Sequence, residues 1–178
     1  MKTVHFIFLI VFLLSGAPGV FAHTAAADLR PTQAGAAGPQ GKVSFEETSG
    51  GLKVTAHVEN AGPGLHGFHI HENGSCEDSG KAAGGHFNPL KVKHGFLPQD
   101  GLKEAHTGDF GNIDIGQDGR GNLELILPGL TLTEGEYDVA GRAIVMHAKP
   151  DDFGQPTGNA GDRVACGIIT AEEQKSPA

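Results

Sequence analysis

A chain of 178 residues with a formal net charge of −8, 13 Lys plus Arg against 21 Asp plus Glu, and no basic run lacks the footing of a nucleic-acid-binding protein. Its 28 Gly and 10 Pro, with no Trp, favour many short strands joined by turns over long helices, and the length suits one domain. Ten histidines in so acidic a chain are the unusual feature.

Residues 1–22 read as a cleaved signal peptide. Lys2 supplies a short positive start, 5–14 (HFIFLIVFLL) an apolar run, and Val20-Phe21-Ala22 a small-x-small cleavage pattern before His23. The run is too short to span a bilayer comfortably, so no membrane association is expected after cleavage. The mature domain is then 23–178, and losing Lys2 with no acid leaves it at −9. Export makes a disulfide the default for Cys76 and Cys166, the only two cysteines. It would close a loop of about 90 residues, worth roughly 4 to 5 kcal/mol in the chain-entropy model.

Residues 23–27 read as a loose N-terminus, and 28–33 as a first strand placed at an edge by Pro31. The segments 42–48 (KVSFEET) and 52–58 (LKVTAHV) alternate apolar with polar and form a hairpin, with His57 on the wet face. The next strand, 66–72 (HGFHIHE), alternates two chemistries. Phe68 and Ile70 point to one face and enter the core; His69 and His71 share the other, two imidazoles spaced as half of a copper or zinc site. His66 has the parity of Phe68 and reads as a structural, hydrogen-bonded histidine. No periodicity is found over 72–111. Forty such residues inside a compact domain indicate a functional loop. Strands resume at 112–115 and 122–127, then 142–147 (RAIVMH) and 163–170 (RVACGIIT), with a second Gly/Pro-rich loop at 150–162 and a frayed tail at 171–178. About eight strands predict an all-β fold, an eight-stranded Greek-key barrel or sandwich with two long functional loops. Nucleotide-binding and serine-hydrolase signatures are missing.

The long loop carries His86, His94, His106 and Asp109, and His147 ends a later strand. Three histidines and a carboxylate make a complete tetrahedral zinc set, while His69, His71 and His147 make an imidazole set suited to copper. One histidine could serve both if its ring lost both protons. A lone histidine is most often a surface residue; six with an Asp around one loop and two strand ends are not explained that way.

Five runs resemble the copper/zinc superoxide dismutase family: GFHIHENGSC at 67–76, GGHFNPLKVKH at 84–94, HTGDFGN at 106–112, GRAIVMHAKPDD at 141–152 and TGNAGDRVACGII at 157–169. They occur in family order over nearly the whole mature chain. The resemblance implies one copper on His69, His71, His86 and His147, and one zinc on His86, His94, His106 and Asp109, with His86 bridging. It further implies that Asp151 links His69 to His94 behind the ligands, that Arg163 guides the anion, that Thr157 faces it across the channel, and that Cys76 pairs with Cys166. The implied reaction is dismutation of superoxide to dioxygen and hydrogen peroxide by cycling of the histidine-bound copper, with His86 and Arg163 as catalytic residues. The segment 71–76 is short, as in exported bacterial members, which points to the periplasm, with a homodimer as the possible assembly. The 94–106 stretch is longer than in the common cytosolic form, and the loop from His147 to Thr157 carries only Lys149, Asp151 and Asp152 as charges.

Two competing readings fit less well. A cupin-like mononuclear oxygenase also carries His-x-His on a barrel strand, but needs a Glu after three or four intervening residues, where Ser75 and Cys76 stand here. A non-enzymatic copper buffer on the same fold would have no need of Arg163 and Thr157.

Overall fold

The computed structural model describes residues 23–172; the signal-peptide reading and residues 173–178 lie outside them. The strands are β1 (Thr24–Pro31), β2 (Gln40–Thr48), β3 (Gly51–Glu59), β4 (Gly64–His71), β5 (Asp109–Ile115), β6 (Gly121–Leu127), β7 (Ala143–His147), β8 (Arg163–Ile168) and β9 (Thr170–Ala171). A 3-10 turn (Lys81–Ala83) and a single α-helical turn, α1 (Leu97–Asp100), lie between β4 and β5. The sheet order is β2-β3-β6-β5-β4-β7-β8-β1, and pairing of β1 with β2 closes it into an eight-stranded antiparallel barrel, with β9 a short extension on β1. β4 leaves the first hairpin and pairs with both β5 and β7, the out-of-order neighbour of a Greek key.

Alternation fills the barrel. Leu52, Val54, Ala56 and Val58 of β3 point inward with Val43 and Phe45 of β2, and Phe68, Ile70, Phe110, Ile113, Ile144 and Met146 complete the core. β7 is buried along its whole length, because Ala143 and Val145 on its outer face pack on Ala83 and the Cys76–Cys166 pair. The long loop therefore covers one wall of the barrel. That explains why AIVM reads as a continuous apolar run instead of an alternating one.

Two expectations need correction. Residues 24–27 are not loose: they pair with 43–46 as the start of β1, with Ala25 and Ala27 facing inward. Alanine has little β-propensity, so its alternation carries no visible strand signal. Nor is β1 an edge. Pro31 is its last residue, where a missing N–H costs no internal ladder bond, and barrel closure removes the edge.

Candidate metal centre

The two histidine-bearing strands are adjacent. β4 sends Phe68 and Ile70 into the core and so turns His69 and His71 outward, and β7 does the same for His147 by burying Met146. A register shift between Gly67 and His69 brings His69 opposite Asp109, the first residue of β5. The long loop returns to this wall at His86, which forms an isolated bridge with His71, and again at His94 and His106.

The result is two groups sharing one member. His69, His71, His86 and His147 form the first; His86, His94, His106 and Asp109 form the second; within each, one donor atom per residue lies within 4.8 Å of the others. All seven residues are buried. His69 and His86 are the closest ring pair, with centroids 4.2 Å apart.

The far nitrogens of the rings show which atoms are left to bind. His71 Nδ1 faces the Gly84 carbonyl at 2.9 Å and His147 Nδ1 the Gly161 carbonyl at 3.1 Å, leaving their Nε2 atoms 3.3 Å apart. His69 Nε2 meets Asp151 Oδ2 at 2.8 Å, and His94 Nε2 meets Asp151 Oδ1 at 3.0 Å. His86 turns Nδ1 to Asp109 Oδ1 at 2.8 Å, so its Nε2 faces the first group. The Nδ1 atoms of His69, His94 and His106 are buried with no hydrogen-bond partner. His94 Nδ1 lies 2.9 Å from Asp109 Oδ2, but outside hydrogen-bond geometry. Buried polar atoms without partners are costly and rare, and here they converge on common points. The residues fit metals: four imidazoles in one group, three imidazoles with a carboxylate in the other.

Electrostatics agree with that fit. Burial pushes His71 down to about 2, His147 to about 3 and His86 to about 4, so these rings stay neutral. Burial opposes the charged form of His94 too, but the carboxylates of Asp109 and Asp151 on its two edges outweigh it and raise that ring to about 9. Burial would raise Asp109, yet the His106, His86 and His94 rings close around it hold it far below the carboxylate range.

A cleft opens on the first group, lined by His71, His86, His147, Thr157, Asn159 and Arg163. Arg163 opens β8 and donates to the Gly80 and Gly84 carbonyls, the latter at 2.5 Å. The Cys76–Cys166 disulfide, with Cα atoms 5.7 Å apart, fastens the same loop to the same strand. The seven candidate ligands thus form the two groups, with Asp151 behind them and Thr157 and Arg163 in the cleft. His66 is in neither group: its ring nitrogens meet the carbonyls of His147 and Gly62, each at 2.8 Å.

Sequence reasoning missed four supports. Asn112 clamps the Asp151 backbone, donating to its C=O at 2.9 Å and accepting from its N–H at 2.7 Å. Gln155 clamps His94 in the same manner. Arg142 sits 3.5 Å over the Phe87 ring and donates to the Glu72 carbonyl at 2.9 Å, tying together the residues that follow His86 and His71. Gly158, at φ +74°, lets backbone approach Asp151 where any Cβ would strike the carboxylate. Only the glycine leaves a trace in sequence; a side-chain amide on remote backbone has no local pattern.

The family model for copper/zinc superoxide dismutase (SODC) matches residues 39–169. The extracellular Cu-Zn superoxide dismutase of Caenorhabditis elegans is 39% identical over 142 residues, covering 76% of this chain and 62% of the relative. The chain thus spans somewhat less than two thirds of that relative's length. Among solved structures, the clock protein EA4 superposes with a TM-score of 0.73 at 32% identity, over 87% of this chain and 98% of that one.

Proposed function

Since the chain belongs to the copper/zinc superoxide dismutase family, we propose that it converts two superoxide anions and two protons into dioxygen and hydrogen peroxide. The observation that carries this reading is His86, the one residue common to both buried groups. His69, His71, His86 and His147 would hold copper, and His86, His94, His106 and Asp109 would hold zinc. When bound, copper supplies one-electron exchange between two oxidation states and zinc a fixed positive charge without redox chemistry.

The chain's own residues supply the rest. Arg163 places a guanidinium at the cleft beside His71 and His147, where a small anion is drawn in and oriented. Thr157 and Asn159 also line the cleft. His86 can carry a proton at Nε2 only while that nitrogen is free of the first group, which suits it to hand a proton to a reduced dioxygen species in the cleft. Asp151 orients His69 and His94 together, and Asp109 orients the rings of His86 and His106.

The disulfide and the extracellular relative support export, to the periplasm in our reading, with the extracellular space as the alternative. Copper and zinc quantification on mature protein, run beside a superoxide-decay assay, tests the function. One copper and one zinc per chain with rapid decay is expected. Full copper-dependent activity in His71→Ala or His147→Ala would sink the ligand assignment.

A further inference from the structure

His94 is one of two zinc-type donors, with His106, that lie outside the strands, the isolated bridge and the helix. It lies in residues 91–96, which form neither strand nor helix, whereas Asp109 opens β5 and His86 bridges to His71 on β4. What holds it comes from the second loop. The His94 N–H donates to Gln155 Oε1 at 3.1 Å, and Gln155 Nε2 donates to the His94 C=O at 2.8 Å, so a single side-chain amide replaces a strand partner. Phe153 stacks on the His94 ring at 6.4 Å and 20°, and its other neighbour is Phe96 at 5.9 Å. With Asp151 on the imidazole Nε2, alternate residues 151, 153 and 155 grip one histidine by its edge, its face and its backbone.

Phe153 is the telling member. Its ring is 44% exposed and its φ is +59°, a left-handed conformation that bulky side chains rarely adopt. Such strain persists where surroundings over-determine it, commonly at functional sites. Here the determinant is visible: the Phe153 N–H donates to Asp151 Oδ1 at 2.8 Å, the same oxygen that meets His94. The backbone is bent so that an aromatic ring covers a metal-binding histidine. A ring left free in solvent would have no reason to accept that bend.

We propose that Phe153 and Gln155 are positioning residues for His94, and that the frequency with which residues 153–155 let go of His94 sets the rate of zinc loss. The proposal rests on His94 being a zinc ligand. Three of the four copper-type donors, His69, His71 and His147, sit on strands β4 and β7, and the fourth, His86, touches neither Phe153 nor Gln155 among its hydrogen-bond and ring partners, so copper release does not follow the hold of these two residues on His94. Gln155 and Phe153 do not line the cleft around Arg163.

The test compares metal release from the loaded protein into a chromophoric zinc chelator and, separately, a copper chelator. Gln155→Ala and Phe153→Gly should each release zinc about tenfold faster, the low end for losing a partner behind a metal ligand. Phe153→Leu, which keeps apolar cover, should stay close to the parent, and copper release should not change in any variant. Glycine adopts φ +59° without strain, so the metal-free Phe153→Gly chain should unfold no earlier in denaturant than the parent. Zinc release at the parent's rate in both disruptive variants overturns the grip. So does a parallel rise in copper release, which would mean general loosening. A parent that takes up no zinc overturns the ligand assignment and this inference with it.

Discussion

Asp151 is one carboxylate serving two histidines, His69 at 2.8 Å and His94 at 3.0 Å, and through them it joins both metal groups. Burial alone would raise its carboxyl, but the bonds from those two rings outweigh it and hold the group ionised well below the usual range. In Asp151→Asn one acceptor oxygen becomes an NH2 facing an imidazole N–H. Zinc affinity is then expected to fall about 10- to 100-fold, read by competition against a chelator of known affinity; unchanged affinity would remove Asp151 from the role proposed for it. The histidines also predict how the metal-free chain responds to pH. His71, His86 and His147 have folded values of about 2, 4 and 3 against 6.5 unfolded, so below pH 6.5 the unfolded chain takes up protons that the folded one refuses. Stability should decline from pH 6.5 towards 4. His94 acts with the opposite sign: raised to about 9, it contributes fully below 6.5, and that contribution is lost as pH rises through 9. The denaturant midpoint of metal-free protein should therefore peak close to pH 6.5. A midpoint flat from pH 4 to 9 would contradict the buried-neutral assignment of the three rings.

Among the elements, the loop from Glu72 to Gly108 carries the heaviest duty, since it brings three zinc-type donors to the barrel and also shapes the cleft. The Gly84 carbonyl shows the coupling, accepting from Arg163 at 2.5 Å while facing His71 Nδ1 at 2.9 Å. Four residues before it, the Gly80 carbonyl also accepts from Arg163, and the Cys76–Cys166 bridge pins the loop's start to β8. Replacing both cysteines by serine should cost up to roughly 4 to 5 kcal/mol, visible as a lower denaturant midpoint. It should also slow superoxide decay in metal-loaded protein, because Arg163 loses the fixed carbonyls that aim it. Stability lost with kcat/KM intact would separate the bridge from the cleft. The same loop marks what was legible in the sequence. Strands β2 and β3 were readable because each has one wet and one dry face, β4 because histidines alternate with apolar residues, and the donors because metal chemistry admits few residue types. Ala25 and Ala27 were not, since a small residue facing inward leaves no contrast. Asn112 and Gln155 were not, because their partners lie 39 and 61 residues away and nothing local announces them.

For the whole molecule, the sign of the charge is the difficulty. The chain carries −8, yet its proposed substrate is an anion. If the net charge governed encounter, salt would screen a repulsion and speed the reaction. If the local field at Arg163 and the metal groups governs, salt screens an attraction and slows it. The cleft favours the second: the Arg163 guanidinium stands beside neutral His71 and His147, and no acidic side chain lines it. The predicted outcome is that kcat/KM falls as ionic strength rises from about 10 mM to about 0.15 M, over which the screening length shrinks from roughly 30 Å to roughly 8 Å. Arg163→Ala should be slower at low salt and flatter across the series, since the surviving attraction comes from the metals alone. An increase of the parent's rate with salt would mean that the −8 body outweighs the cleft. Guidance would then have to be sought in charges outside the cleft lining, with Lys149, whose side chain lies beside Gly161 of the cleft, one cation to examine.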